Sequence, residues 1–204
     1  LSPFSERDLI AKIFTKDFGI ILGIIKSGQT RKDKPLIGSF GNVSWVARLD
    51  SQLGTFHFEE QKNLIAKYIS NSKLSFAVSN IFQLIESFLP EREKYQELFE
   101  NTLNLIENLN INKTEELYLN WEINFLKNLG YAIDVSKCCN CGRKDNLKYI
   151  SPKTGRAVCE NCGKTYDNKL LKMPVSLNTT KRLLENISID TNKQIPAIRN
   201  LLKF

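Results

Sequence analysis

Five cysteines stand in this chain, and four of them are spaced to do chemistry together. Cys138 and Cys141 form one C-x-x-C pair, Cys159 and Cys162 a second, with seventeen residues between Cys141 and Cys159. That spacing is the one read as a four-thiolate metal site. Each pair bends the backbone so that two sulfurs converge, and two such turns close a tetrahedron around one zinc ion. Four protein ligands leave no open coordination position, so the expected Zn2+ is structural, one per chain. Gly142 and Gly163 each follow the second cysteine of a pair, where tolerance of positive φ is expected to help the turn close.

Two rival readings of the cysteines are weaker. Disulfides need an oxidising compartment, and nothing in the sequence points to secretion. A redox C-x-x-C belongs beside a βαβ pattern, and a second matched pair would have no purpose there. Cys139 reads as a bystander, or an occasional competing ligand, because no histidine is near it in sequence. Covalent catalysis finds little support. His57 is the one histidine, and no G-x-x-x-x-G-K or G-x-G-x-x-G phosphate loop occurs. The expectation is a protein that is not an enzyme.

The elements that must position the cysteines fall into three stretches. Residues 1–59 read as β: Leu9–Phe14, Ile20–Ile25 with Gly23 as a bend or bulge, Asn42–Asp50 with clean alternation, then Thr55–Glu59. Short strands separated by glycine and charged turns predict a small β-barrel. On the last strand Phe56 and Phe58 share a face as barrel core, with His57 opposite. From Glu60 the apolar period turns helical, beginning with Leu64, Ile65 and Tyr68. A stripe from Leu74 to Leu89 is stopped by Pro90, another runs from Tyr95 to Leu109, and a fourth helix carries Trp121 and Phe125. Asn112 and Glu115 predict its capping box, Gly130 its C-terminus. After the cysteines, Ser176 is expected to cap a helix through Ile187, and Ile195–Leu202 to close the chain. The fold class is therefore α+β. Residues 1–59 form the barrel, residues 60–136 and 168–204 the helical domain, and residues 137–167 an inserted zinc module.

Charge is unevenly spread. The chain carries +7 overall, from 29 Lys/Arg against 22 Asp/Glu. Residues 69–136 hold five basic against ten acidic side chains, whereas residues 137–172 hold nine against three. Four thiolates on one zinc add a formal charge of about −2 to the metallated site. The cysteine module stays the most basic part of the chain, and its lysines and arginines are candidates for phosphate contacts. Candidates in the barrel are Lys26, Arg31, Lys32, Lys34 and Arg48. Around the cysteines they are Lys137, Arg143, Lys144, Lys148, Lys153, Arg156 and Lys164, with Tyr149 and Tyr166 as stacking partners. The longest apolar run, Ile20–Ile25, is too short to span a bilayer. With free thiols and no leader pattern, a cytoplasmic location is expected. The absence of an initiator Met predicts a native N-terminus upstream of Leu1.

A family resemblance rests on ordered strings. Phe4-Ser5-Glu6-Arg7-Asp8-Leu9-Ile10 is followed by Phe14-Thr15-Lys16-Asp17-Phe18-Gly19, then by the basic loop after Lys26. Trp45-Val46-Ala47-Arg48-Leu49-Asp50 precedes Leu53-Gly54-Thr55-Phe56, and Leu126-Lys127-Asn128-Leu129-Gly130-Tyr131 precedes the first cysteine pair. This set resembles the bacterial RecO family of recombination mediators over nearly the whole length. The resemblance implies an N-terminal OB-fold whose first strand begins upstream of Leu1, a helical domain and a zinc finger. It also implies binding of single- and double-stranded DNA, annealing of complementary strands, and loading of RecA at nucleoid DNA. The implied partners are RecR, RecF and the C-terminal tail of single-stranded-DNA-binding protein, with no membrane. The alternative from a different class is a zinc-containing adaptor whose basic surfaces dock acidic partner segments.

Overall fold

The computed structural model describes residues 1–30, 34–49 and 52–202, and the chain divides into two compact units, Leu1–Ile111 and Asn112–Phe204. The class is α+β.

The first unit opens on a five-stranded sheet in the order β1-β2-β3-β5-β4. Its strands are β1 (Ser2–Pro3), β2 (Leu9–Thr15), β3 (Gly19–Ile25), β4 (Ser39–Val46) and β5 (Gly54–Asn63). The β3–β5 pair is parallel and the others antiparallel. This is a Greek-key order of the kind found in the partly open five-stranded OB-fold. Among the described residues no ladder joins β4 to β1, so the sheet is open. Ala11, Ile25 and Phe56 form its buried core, with Val43 and Trp45 packed against them. Phe56 is buried and Phe58 half-buried, while His57 points to solvent, as the alternation predicts.

Gly23 does not mark a bulge. It pairs in register with Ala11 and Gly54, and a Cβ there would lie 2.7 Å from the Phe56 ring. Its missing side chain makes room for an aromatic. The register shift falls instead between Phe40 and Gly41 on β4. The strand expected over Asn42–Asp50 ends at Val46, and Asp50 itself lies outside the described residues.

Strand β5 runs on to Asn63, past the point where a helix was expected, and only a 3-10 turn (Ala66–Tyr68) follows. Helix α1 (Ser72–Phe88) starts with Asn71, whose side chain accepts from the Leu74 N–H, and buries Leu74, Ala77, Val78, Ile81, Leu84, Ile85 and Phe88. Helix α2 (Gln96–Asn108) buries Leu98, Leu105 and Ile106. The Tyr68 hydroxyl ties the 3-10 turn to the end of α2, donating to Ile106 O at 2.6 Å.

The second unit begins with α3 (Thr114–Asn128). Lys113, not Asn112, holds its N-cap position, and it supplies no side-chain cap bond. Gly130 at φ +86° ends the helix as expected, with the Tyr131 N–H donating to Leu126 O at 2.9 Å. The chain continues through β6 (Leu147–Ile150), β7 (Ala157–Cys159), the single turn α4 (Glu160–Gly163), β8 (Leu171–Lys172) and α5 (Leu177–Thr191). Strands β7-β6-β8 make a small antiparallel sheet. At the start of α5 the Ser176 N–H donates to Thr179 Oγ1 at 3.1 Å, part of a capping box at the residue expected to cap this helix. The final piece is a 3-10 turn, Ala197–Leu201. Helices α3 and α5 pack on each other, so the cysteine-bearing sheet is inserted between two helices of one core.

Candidate metal centre and basic surface

The two cysteine pairs sit on different local scaffolds. Cys138 and Cys141 lie in a turn closed by the Gly142 N–H donating to Cys138 O at 2.9 Å, with Gly142 at φ +75°. Cys159 is the last residue of β7, and Cys162 lies one turn on, within α4. The Cys138 N–H donates to Arg143 O at 2.7 Å and the Cys139 N–H to Ala157 O at 2.9 Å, which holds the first turn against β7.

Gly163 differs from its counterpart. Its φ is −89°, so positive φ is not why glycine stands there. A Cβ at Gly163 would sit 2.3 Å from Cδ2 of Tyr149, so the residue admits the tyrosine ring. That ring packs with Cys138, Val158, Cys159, Leu147 and Leu170 as the core of the module. Tyr149 is thus a structural ring, and Tyr166, 57% exposed, is the accessible one.

The four thiol sulfurs of Cys138, Cys141, Cys159 and Cys162 all lie within 4.8 Å of one another. The Cys141 and Cys159 sulfurs are 3.7 Å apart, far beyond a disulfide bond, and all five cysteines are free. A tetrahedron with metal–sulfur bonds of about 2.3 Å places its sulfurs about 3.8 Å apart. The cluster therefore has the donors and the dimensions to hold a metal ion.

Electrostatics favour thiolate at one corner and oppose it at another. Burial pushes the Cys138 thiol up, but backbone N–H groups of Cys159, Cys141 and Asn140 point at its sulfur and bring it down to about 6. At Cys162 the Asn140 side chain favours the thiolate, yet crowding by Cys159 and Cys141 outweighs it and pushes the group up to about 11. A divalent cation would resolve that crowding by taking charge from all four sulfurs. Cys139 is exposed and stands apart from the cluster.

Of the twelve basic residues singled out by sequence, Arg31 and Lys32 lie outside the described residues, and the other ten are all exposed. They fall on separate units. Lys26 follows β3, where Asp8 Oδ1 accepts from the Ser27 N–H at 2.8 Å and anchors the start of the basic loop. Lys34 and Arg48 are on the same unit; Lys137, Arg143, Lys144, Lys148, Lys153, Arg156 and Lys164 are on the other. Several of these charges are shared. Lys148 Nζ lies 2.7 Å from Glu160 Oε1, and Arg143 Nε lies 3.9 Å from Asp145 Oδ1. Asp134, whose carboxyl is held below its usual range first by hydrogen bonds from Ser136, also feels Arg156 and Lys137.

Three residues that hold the second unit together carry little sequence signal of their own. Asn186 on α5 donates to Pro152 O at 2.6 Å and fastens the β6–β7 hairpin tip to the helical core. Glu122 of α3 and Arg199 of the last turn form a buried ion pair. An acidic residue between Trp121 and Phe125 was the available hint.

No helix among the described residues is long and apolar enough to cross a membrane. Residues 70–203 match the family described as Recombination protein O C terminal. The DNA repair protein RecO of Rickettsia canadensis is 32% identical over 201 residues, covering 97% of this chain and 81% of the relative. That of Rhodospirillum centenum is 34% identical over 84% of this chain and 70% of its own. The Brucella abortus protein is 34% identical over 86% and 72% respectively. With the ordered strings, the open Greek-key sheet and the inserted four-cysteine sheet, these similarities place the chain in the RecO family of DNA repair proteins.

Proposed function

We propose that this chain is a non-enzymatic recombination mediator that binds single- and double-stranded DNA, anneals complementary strands and helps load recombinase onto coated single strands. The observation that carries the reading is the cysteine module: four sulfurs with the dimensions of a metal site, among seven candidate basic residues that are all exposed. Phosphate binding needs only such charges, displaced counterions and strand alignment. In this reading the ion is one structural Zn2+ held by Cys138, Cys141, Cys159 and Cys162. Zinc supplies a closed scaffold there, and the lysines and arginines around it meet phosphate. Residues 137–167 act as the zinc module, residues 1–59 as the OB-fold, and residues 60–136 with 168–204 as the helical domain. RecR, RecF and the tail of single-stranded-DNA-binding protein are the partners, and the setting is the bacterial cytoplasm at the nucleoid. A salt series on an oligonucleotide titration tests it: log affinity should fall linearly with log salt. Micromolar protein with no salt-sensitive binding would sink the reading.

A second reading, an adaptor docking acidic segments of partner proteins, draws on Lys148, Arg143, Lys137 and Arg156, each of which already has a carboxylate beside it. Tight partner binding with no oligonucleotide binding would select it.

A further inference from the structure

Six tyrosines occur in the chain, and five have their hydroxyls engaged. Tyr68 donates to Ile106 O and Leu109 O, Tyr118 to Glu122 and Tyr131 to Asp190. Tyr95 is hydrogen-bonded to Glu93 and Tyr149 to Asp167. Tyr166 is the exception. It is 57% exposed, and its side chain has no hydrogen bond or ring contact among the described residues.

Its backbone setting is equally particular. Tyr166 interrupts the 3-10 segment Lys164–Lys169 with φ −121° and ψ 20°, and all six residues of that segment are exposed. Lys164 stands two residues before the ring and Lys169 three after it, so both ammonium groups leave the same short exposed segment as the ring. The one acidic residue of the segment, Asp167, is drawn to the Tyr149 hydroxyl. Lys169 and Lys172 form no ion pair among the described residues. The segment leaves Gly163, directly after a cysteine of the cluster, so a folded metal knot anchors its first residue.

The Lys164 charge is felt by Glu160, while Lys169 has no carboxylate partner among the described residues. A bare aromatic face with ammonium groups on the same segment is what a strand with unpaired bases needs, whereas a duplex keeps its bases stacked internally. We infer that Tyr166 is a base-stacking site for single-stranded nucleic acid, with Lys164 and Lys169 holding the flanking phosphates. The inference rests on the DNA-binding reading above and adds a strand preference and a residue that carries it.

The test is fluorescence anisotropy of the full, zinc-loaded chain with labelled oligothymidylate and with a duplex of equal length. Tyr166→Ala should weaken single-strand binding at least about fivefold, the lower end of the stacking range, and leave duplex binding within about twofold. Tyr166→Phe should keep single-strand affinity, since the hydroxyl has no partner. Lys169→Glu should weaken binding to both probes and reduce the salt slope. If Tyr166→Ala leaves oligothymidylate binding unchanged, or lowers both probes alike, the stacking site is wrong while the DNA-binding reading stands. If the unmodified chain binds neither probe at low salt, the DNA-binding reading fails and takes this site with it. Retained binding of an acidic peptide would then point to the adaptor.

Discussion

Arg199 grips Glu122 at two points, Nε at 2.6 Å from Oε1 and the second guanidinium nitrogen at 2.8 Å from Oε2, with side chains only 3% and 0% exposed. Tyr118 and Thr180 also donate to this carboxylate, and Arg199 donates to Leu177 O. One buried charge therefore joins α3, α5 and the last 3-10 turn. Burial works against the Arg199 charge, but the bond to Glu122 and its field hold the group above its ordinary value.

Removing one partner strands the other in an apolar core. Arg199→Ala or Glu122→Ala should destabilise the second unit by about 3–5 kcal/mol. The pair replaced together, Arg199→Met with Glu122→Leu, should cost clearly less than the two single changes summed. Urea unfolding followed by the fluorescence of Trp121, which stacks on Phe125 at 5.3 Å, reads the difference. Additive costs would show that the two residues do not act as a unit.

Gly163 supports a different prediction. A methyl group there meets the Tyr149 ring at 2.3 Å, inside any real contact, and the ring is wedged in the core of the cysteine module. Gly163→Ala should cost about 1–3 kcal/mol as overpacking. Adding Tyr149→Leu should recover part of that loss. Gly142→Ala has open space around its Cβ and suffers through its φ of +75° instead, so the same Tyr149 change should not rescue it.

These contrasts explain what the sequence disclosed. The cysteine cluster was legible because its pairs are local and thiolate ligation fixes their spacing. The α1 stripe was legible because Leu74, Val78, Ile81 and Ile85 recur at helical period and Pro90 stops it. The outer half of β5 was not: Glu59, Glu60, Gln61 and Lys62 are all exposed, so no buried face imposes a period of two. Glu122 and Arg199 lie 77 positions apart, and nothing local to either announces the other. The roles of Gly23 and Gly163 escaped for the same reason, since the ring each one admits comes from a different strand.

The cysteine cluster should show a steep pH dependence. In the metal-free chain Cys162 is pushed up to about 11, so at neutral pH its proton must leave before the sulfur can ligate. Affinity for zinc should rise with pH by at least about tenfold per unit between pH 6 and 8. Below about 6 the Cys138 thiolate protonates as well, and the fall should steepen. Competition with a chromophoric chelator across this range measures it. Cys138→Ser with Cys162→Ser should drop zinc from about one per chain to near none, and a ratio still near one would overturn the ligand set. Cys139→Ser should leave the ratio unchanged.

Glu160 offers a test of opposite sign. It accepts from Lys148 at 2.7 Å and from Asn146 at 3.0 Å, and the lysine bond foremost holds its carboxyl below the usual range. While that contact persists, Lys148 is a poor counterion for phosphate, because an incoming strand must displace the carboxylate first. Glu160→Gln removes the competing charge and keeps a side chain of the same shape. Binding to an oligonucleotide should therefore tighten, and the slope of log affinity against log salt should steepen by up to about one unit. Lys148→Gln in the otherwise unchanged chain should weaken binding less than Lys144→Gln, since Lys144 has no carboxylate partner among the described residues. Zinc content measured in parallel separates a charge effect from damage to the neighbouring Cys159. If Glu160→Gln leaves both affinity and slope untouched at full zinc loading, this edge of the module does not meet DNA.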